Sequence, residues 1–200
     1  MKYLFFDTET TGLPKNYKAP AWETDNWPRL VQLAWITTDE TGKPLAEGNW
    51  IIKPVGYTVP EEASAVHGIS NERALNEGLD MKTQLAEFAK QVAEADFLVA
   101  HNIAFDEKIV SAEYHRAGYF KSPLYGKSRI CTMMGSTKYC ALPNANGRGG
   151  NKWPRLNELH VRLFDKEFEG AHDASVDIAA TAKCFFELVK RNVMSLTINS

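Results

Sequence analysis

The first thirteen residues join a buried-strand pattern to two closely spaced carboxylates. Tyr3 to Phe6 are all aromatic or aliphatic, and such an unbroken run is typical of a strand that is covered on both faces. Asp7 and Glu9 follow the run with one residue between them. Because side chains alternate along a strand, both carboxylates can project to the same side, and Gly12 lets the backbone turn away. Two carboxylates held together in this way favour a bound cation.

Spacing alone does not identify a cation site, because the chain has a second acidic pair with one residue between its members. Asp165 and Glu167 follow no buried-strand pattern, and we interpret them as a solvated turn. The position of Asp7 and Glu9 at the end of an apolar strand distinguishes the first pair from the second.

The composition is that of an ordinary globular chain. With 44% hydrophobic and 24% charged residues, residues 1–200 are expected to form a single domain. We expect no membrane association and a cytoplasmic location, since no stretch approaches the roughly 20 apolar residues of a membrane helix and the N-terminus lacks a signal-peptide pattern. A formal net charge of −2 means that nucleic-acid binding would need a local basic patch or a bound metal. The cysteines, Cys131, Cys140 and Cys184, match no zinc-ligand spacing and are expected to be reduced and buried.

Hydrophobic periodicity and turn residues predict strands interleaved with helices. The first three strands would pair in antiparallel fashion, and the later pattern is typical of a mixed sheet flanked by helices in an α/β domain. The segment from Leu13 to Leu30 contains three prolines and is interpreted as a long loop that Trp22 and Trp27 pin to the body. Strands are predicted at 3–6, 30–38, 45–53, 97–100 and 130–132, and helices from Pro60 to Gly68, after a cap at Ser70 or Asn71, and at 81–94, 102–117, 132–139, 155–163 and 173–192.

Two further carboxylates are predicted to lie near the beginnings of helices. Asn102 is a candidate helix cap, which places Asp106 about one turn inside the helix that follows it. Asp177 lies in the second turn of the last helix, and His172 immediately precedes that helix. The last helix has a stripe of apolar residues that is expected to face the core, and Asp177 points only partly away from it. An unpaired charge there would therefore be costly unless a metal or solvent contacts it.

Four carboxylates and a histidine are the components of two-metal phosphodiester hydrolysis. The carboxylates are Asp7, Glu9, Asp106 and Asp177. Their oxygen atoms suit Mg²⁺ or Mn²⁺, and four negative charges approximately balance two such ions. Ions held about 3.5–4 Å apart polarise the phosphate and stabilise the leaving oxygen, while a histidine takes the proton of the attacking water. Scattered surface acids are the alternative that spacing leaves open.

Three segments together resemble the exonuclease motifs of the DEDDh (DnaQ-like) family, which includes the proofreading epsilon subunit of bacterial DNA polymerase III. They are Asp7-Thr8-Glu9-Thr10-Thr11-Gly12-Leu13, His101-Asn102-Ile103-Ala104-Phe105-Asp106 and His172-Asp173-Ala174-Ser175-Val176-Asp177. The segments occur in the order found in the family and extend over nearly the whole chain. The resemblance implies a ribonuclease H-like α/β fold, with a central mixed five-stranded sheet flanked by helices. It also implies 3′-to-5′ removal of nucleotides as 5′-monophosphates.

The resemblance also implies a role for each matching residue. Asp7, Glu9 and Asp177 would hold the first of two divalent metal ions, Mg²⁺ or Mn²⁺. Asp7 and Asp106 would hold the second ion, and His172 would act as the general base.

Four further positions are expected to bind the 3′-terminal nucleotide. The segment containing Val66 and His67 is similar to the family segment that packs on this nucleotide. Thr10 and Phe105 lie where family members touch the 3′ end. These contacts are implied by the resemblance alone.

Spacing cannot choose the general base. His101 precedes Asp106 by the same separation as His172 precedes Asp177. The resemblance favours His172 and leaves His101 as a hydrogen-bonding residue at the end of a strand.

The Asn- and Gly-rich segment at 143–153 lies outside the shared motifs. As a hypothesis, basic and aromatic residues in and beside it border the substrate groove, where cations meet phosphates and a ring stacks on a base. These residues are Arg148, Lys152, Trp153 and Arg155. An ordinary surface loop is the alternative.

The sequence therefore predicts a stand-alone, metal-dependent 3′-5′ exonuclease that acts on single-stranded or frayed DNA ends. An RNA-trimming enzyme of the ribonuclease T and oligoribonuclease kind is the rival, since no residue reveals recognition of the 2′-hydroxyl. A nucleic-acid-binding module without catalysis is an alternative from another class, and its mark would be a missing carboxylate. Association with a polymerase stays open, although we expect the chain to lack the C-terminal extension by which the epsilon subunit attaches.

Overall fold

The computed structural model describes residues 1–144, 149–170 and 173–195. Within these residues the strands are β1 (Tyr3–Thr10), β2 (Leu30–Thr38), β3 (Pro44–Ile51), β4 (Phe97–Ala100) and β5 (Ser128–Cys131). The helices are α1 (Glu61–His67), α2 (Asn71–Glu77), α3 (Met81–Glu94), α4 (Ile103–Arg116), α5 (Thr132–Cys140), α6 (Leu156–Phe164) and α7 (Ala174–Lys190), with a short 3₁₀ turn at Thr24–Asn26. In the described part of the chain, no helix combines the length and apolar character needed to cross a bilayer.

The strands form one mixed sheet with β1 at its centre. The order is β3-β2-β1-β4-β5. β1 pairs antiparallel with β2 and parallel with β4, and β4 pairs parallel with β5. This arrangement confirms the predicted antiparallel start and the mixed five-stranded sheet.

Side-chain alternation along β1 sorts its residues between two helical layers. Leu4 and Phe6 belong to the core cluster that contains residues of α3 and α4. Tyr3 and Phe5 pack on the opposite face with Phe185 of α7. Asp7 and Glu9 continue the series that faces α7, because residues two apart share a face of a strand.

β1 is longer than the apolar run predicted. Its pairing with β2 continues through Asp7 opposite Ala34 and Glu9 opposite Gln32. The carboxylates therefore lie inside the strand rather than beyond its end, and backbone hydrogen bonds hold them in place. The predicted strand ends where the apolar residues end, whereas the observed strand ends where its pairing with β2 ends.

The loop between β1 and β2 is held mainly by one of its two tryptophans. Trp27 is 4% exposed, and its indole Nε1 donates to the carbonyl of Pro20 at 3.1 Å. Arg116 of α4 donates to the carbonyl oxygens of Thr24 and Trp27. Trp22 is 66% exposed, so the prediction that it also pins the loop is wrong.

The cysteines are free, as predicted. Cys140 and Cys184 are buried. Cys131 is only partly buried, and its sulfur accepts the backbone N–H of Met134 at the beginning of α5. It therefore serves as a helix cap rather than as a core spacer.

Candidate active site

Three of the four predicted carboxylates meet on the α7 face of the sheet. Each of Asp7, Glu9 and Asp177 offers an oxygen atom, and these atoms all lie within 4.8 Å of one another. β1 supplies the first two residues, and α7 supplies the third from its first turn rather than from the predicted second turn. Oxygen atoms at this separation can share one divalent cation.

The N-terminus of α7 is anchored by a residue that the motifs do not contain. Gln32 lies opposite Glu9 in β2 and is 3% exposed. Its amide donates to Asn49 at 2.8 Å and to the carboxylate of Asp173 at 3.4 Å, and it accepts the backbone N–H of Ala174 at 3.4 Å. These bonds fix the beginning of α7 relative to the sheet.

Asp173 is also the N-terminal cap of α7. Its carboxylate accepts the backbone N–H of Ser175 at 2.9 Å and the Ser175 hydroxyl at 2.6 Å. Asp177 lies one turn further along the helix. The position of its carboxylate over β1 therefore depends on the cap and on Gln32.

Asp106 approaches the same strand from α4, on the other side of the sheet. Its Oδ1 accepts the backbone N–H of Thr8 at 3.1 Å and the Thr8 hydroxyl at 2.7 Å. The Asp106 side chain is buried. Thr8 alternates with Asp7 and Glu9 and so faces α4, and strand alternation was the only sequence signal for its role. Asn102 precedes α4 as predicted, but it adopts a left-handed conformation and its side chain makes no capping hydrogen bond.

Burial, together with crowding, disfavours the ionised forms of the carboxylates. Burial raises the pKa of Asp7 well above its usual range, and the charges of Asp106, Asp177 and Glu9 add to the rise. Burial, followed by the charge of Asp177, raises the pKa of Glu9 to about 8. Burial raises the pKa of Asp106 to about 7, although the hydrogen bonds from Thr8 oppose the shift. A bound cation would reverse these effects, so the donor set fits a divalent metal.

His101 is fully engaged in hydrogen bonds. Its Nδ1 lies 3.0 Å from the hydroxyl of Thr132, and its Nε2 lies 3.0 Å from the carbonyl of Pro154. Burial lowers the pKa of His101. These contacts agree with the predicted structural role. The other candidate base, His172, lies outside the described residues.

Two of the residues expected at the 3′ end, Thr10 and His67, lie in or beside β1. Thr10 is buried, and its hydroxyl donates to the carbonyl of Gly12 at 2.7 Å. His67 is buried at the end of α1, and burial lowers its pKa while the neighbouring backbone of Thr10 partly opposes the shift. Val66 is 57% exposed. The ring of Phe105 lies 6.4 Å from that of Tyr17.

A polar cavity of about 320 Å³ separates His67 from the anchored end of α7. Gln32 and Asp173 line its other side. The cavity therefore places the predicted nucleotide contact His67 within the same depression as the residues that hold α7.

The segment from 149 to 155 contacts His101 and the beginning of α6. Pro154 accepts the hydrogen bond from His101, while Lys152 pairs with Glu158. Trp153 is 64% exposed, and the backbone N–H of Arg155 donates to Glu158 at the beginning of α6. Arg148 lies outside the described residues, so the groove hypothesis stays a prediction there.

The second acidic pair remains on the surface. Asp165 ends α6 in a left-handed conformation. Both Asp165 and Glu167 are exposed, which confirms the interpretation as a solvated turn.

Known proteins match most of this chain. Residues 4–185 match the family model RNase_T, described as an exonuclease. A PolC-type DNA polymerase III of Lactococcus lactis is 28% identical, with 95% of this chain and 10% of the relative covered. The 3′-5′ exonuclease DinG of Bacillus subtilis is 25% identical, with 95% and 18% covered.

Solved structures share the fold. The zinc-bound complex of Escherichia coli exonuclease I with single-stranded DNA has a TM-score of 0.71 and 25% identity, over 95% of this chain and 40% of that one. The complex of the same enzyme with a dT13 oligonucleotide has a TM-score of 0.71 and 24% identity, over 94% and 41%. These likenesses confirm the predicted ribonuclease H-like fold. The chain spans only a minor part, from 10% to 41%, of the lengths of these relatives.

Proposed function

Because the chain belongs to the RNase_T exonuclease family, and so to the DEDDh (DnaQ-like) group that its motifs resemble, we propose that it removes nucleotides from the 3′ ends of single-stranded nucleic acid. The observation that carries this proposal is the gathering of Asp7, Glu9 and Asp177 within 4.8 Å. Asp106 acts on Asp7 from the other side of the strand. No carboxylate of the family pattern is missing, which argues against a binding module without catalysis.

We propose that the four carboxylates hold two divalent ions, Mg²⁺ or Mn²⁺. Asp7, Glu9 and Asp177 would hold one ion, and Asp7 and Asp106 would hold the other. Divalent ions supply Lewis acidity toward the phosphate and lower the pKa of water. The protein would hold two of these carboxylates on β1 and the other two near the beginnings of helices. Gln32 anchors the beginning of α7, which carries Asp177, and Thr8 donates hydrogen bonds to Asp106 on α4.

His172 is proposed as the general base that takes the proton of the attacking water. It directly precedes Asp173, the residue that caps α7 and contacts Gln32. The alternative, His101, uses both ring nitrogens within the protein and has none left for water. Proton transfer needs a ring nitrogen within hydrogen-bonding reach of the nucleophile.

The terminal nucleotide is proposed to bind against Thr10, Val66, His67 and Phe105. Exposed Val66 offers an apolar surface for a sugar or base, and buried His67 offers a fixed ring beside Thr10. Phe105 immediately precedes Asp106 on α4. This placement would bring the last phosphodiester bond over the carboxylates.

DNA is the proposed substrate and RNA the alternative. The names of both sequence relatives refer to DNA polymerase or 3′-5′ exonuclease activity, and the solved neighbours carry single-stranded DNA. We further propose that residues 1–200 act as one exonuclease domain in the cytoplasm. Association with a polymerase is a secondary proposal that rests on the PolC relative alone.

The direct test presents matched, 5′-labelled DNA and RNA oligomers with Mg²⁺, Mn²⁺ or chelator. We expect metal-dependent laddering from the 3′ end, stronger for DNA. Equal or preferential trimming of RNA would transfer the proposal to the alternative substrate, and no metal-dependent cleavage of either polymer would refute it. In the same assay under single-turnover conditions, His172→Ala should lose far more activity than His101→Ala. The reverse order would overturn the assignment of the base.

A further inference from the structure

A wide groove lies between the tip of the β1–β2 loop and the C-terminal end of α4. Its volume is about 750 Å³. Three of its lining aromatic side chains are open to solvent, since Trp22 is 66%, Tyr119 46% and Phe120 99% exposed. Large exposed apolar groups gathered in one place mark an interaction surface.

The lining of this aromatic groove is cationic, although the chain has a net negative charge. Arg116 and Lys121 line it, and no carboxylate does. Arg116 shares Glu113 with Arg29 and also lies within range of the Asp25 charge, so its own charge is compensated. Within the described residues, Lys121 forms no ion pair. Two acidic residues of the loop tip, Glu23 and Asp25, do not line the groove.

The groove is connected to the proposed 3′-end site by the loop that lies along α4. The Lys108 ammonium donates to the carbonyls of Tyr17 and Ala19, and the Tyr17 ring faces Phe105 near the beginning of the helix. Helix residues rise about 1.5 Å each, so the ten residues between positions 106 and 116 span roughly 15 Å. A strand with the stacked spacing of roughly 3.4 Å covers that length in about four or five nucleotides, and an extended single strand covers it in fewer.

We propose that the aromatic groove binds upstream bases of the single-stranded nucleic acid whose 3′ end lies at the carboxylates. This inference rests on the proposed function and adds a second contact region to it. Aromatic rings stack on any base, and neighbouring cations attract the phosphates. The lack of lining carboxylates and the continuity with Phe105 favour nucleic acid over a protein as the occupant.

The test measures binding separately from cleavage. Fluorescence anisotropy in chelator compares single-stranded oligothymidylates of about 12 nucleotides, which reach the groove, with ones of about two, which are too short to reach it even when extended. The variant combining Trp22→Ala and Phe120→Ala should bind the longer oligomer about tenfold more weakly. Its metal-dependent trimming of the shorter oligomer should equal that of the unaltered protein.

The control variant is Met134→Ala, which removes another exposed apolar side chain far from the loop in sequence and should leave both affinities unchanged. Unchanged affinity of the double variant for the longer oligomer would overturn the inference, as would an equal loss for both lengths. Self-association of the unaltered protein that the double variant abolishes would assign the groove to a second copy instead. Absence of metal-dependent trimming by the unaltered protein would refute the proposed function without altering the binding result.

Discussion

Helix α4 carries three buried carboxylates, and two of them, Asp106 and Glu113, lie about two turns apart in opposite surroundings. Glu113 is surrounded by donors: Arg29 contributes two hydrogen bonds, at 2.8 and 3.2 Å, Arg116 one at 2.8 Å, and the backbone of Leu30 one at 3.1 Å. Within the described residues, Asp106 accepts hydrogen bonds from the backbone and hydroxyl of Thr8 alone and pairs with no lysine or arginine. Buried charges in proteins are either paired or bind metal. In Glu113 the same helix thus contains an acid whose counter-charge the chain supplies, and in Asp106 an acid for which we propose a bound metal.

The comparison extends to stability and function. The Glu113 cluster joins α4 to the loop before β2 and serves the fold. Burial and mutual repulsion raise the pKa values of the carboxylates around β1, which disfavours the metal-free charged state. The following predictions test whether the two clusters separate in this way, from the largest expected effect to the smallest.

Removing a proposed metal ligand should abolish activity without unfolding the protein. Asp7→Asn should lower the single-turnover rate about 10³-fold or more, because metal ions contribute several kcal/mol to transition-state stabilisation. Denaturant unfolding of the metal-free variant should show equal or higher stability, since a repulsive charge is gone. The matched control is Asp165→Asn in the exposed acidic pair, which should change neither property. If Asp7→Asn lost stability as well as activity, the proposed difference between Asp7, which serves activity, and Glu113, which serves stability, would be wrong.

Removing the paired acid should have the reverse effect. Glu113→Gln leaves two guanidinium groups without their carboxylate and should lower the free energy of unfolding by about 3 kcal/mol. The rate per folded molecule should stay close to that of the unaltered protein. Glu87→Gln, in an exposed pair with Lys90, should cost less than about 1 kcal/mol. A selective loss of rate in Glu113→Gln would show that this cluster also serves catalysis.

The hydrogen bonds from Thr8 should tune the metal site. Thr8→Val removes the hydroxyl that contacts Asp106 and should weaken metal activation or activity about 10- to 100-fold. Thr8→Ser keeps the hydroxyl and should recover most of it. A Mg²⁺ titration of the rate separates this effect from a general loss of packing, which Thr8→Ser would not repair and which would leave the Mg²⁺ midpoint unchanged.

Metal should stabilise the protein more at high pH than at low pH. The folded-state pKa of Glu9, raised from 4.5 to about 8, means that the metal-free protein holds this proton more tightly than the unfolded chain does. Its contribution to stability is therefore complete below about 4.5 and is lost as the pH rises through about 8. Mg²⁺ should raise Tm by a few degrees more near pH 8.5 than near pH 5.5. Equal increases, or an increase retained in Asp7→Asn, would contradict this linkage.

Local sequence signals were sufficient for most of the fold. Gly68 ends α1 in a left-handed conformation and the hydroxyl of Ser70 caps α2, as predicted. The bounds predicted for α3 and β4 match the structure. Tertiary effects explain the differences: pairing with β2 extends β1, and nothing in the letters distinguishes buried Trp27 from exposed Trp22.

The carboxylates of the site were found from the motifs, whereas their supports were not. Gln32 and Thr8 act through contacts between elements distant in sequence, and each also suits an ordinary strand position. Gln32 gave no signal because its partner Asp173 lies more than a hundred residues away. The assignments of His172 and of the four nucleotide contacts stay predictions.

Metal binding tests the central claim most directly. Mn²⁺ binding to the chain, measured by electron paramagnetic resonance with a nucleoside 5′-monophosphate present, should show two ions per chain. Asp7→Asn should lose both, and Asp165→Asn should lose neither. Failure to detect Mn²⁺ at the unaltered protein, or binding that Asp7→Asn leaves intact, would show that these carboxylates are not gathered for a metal.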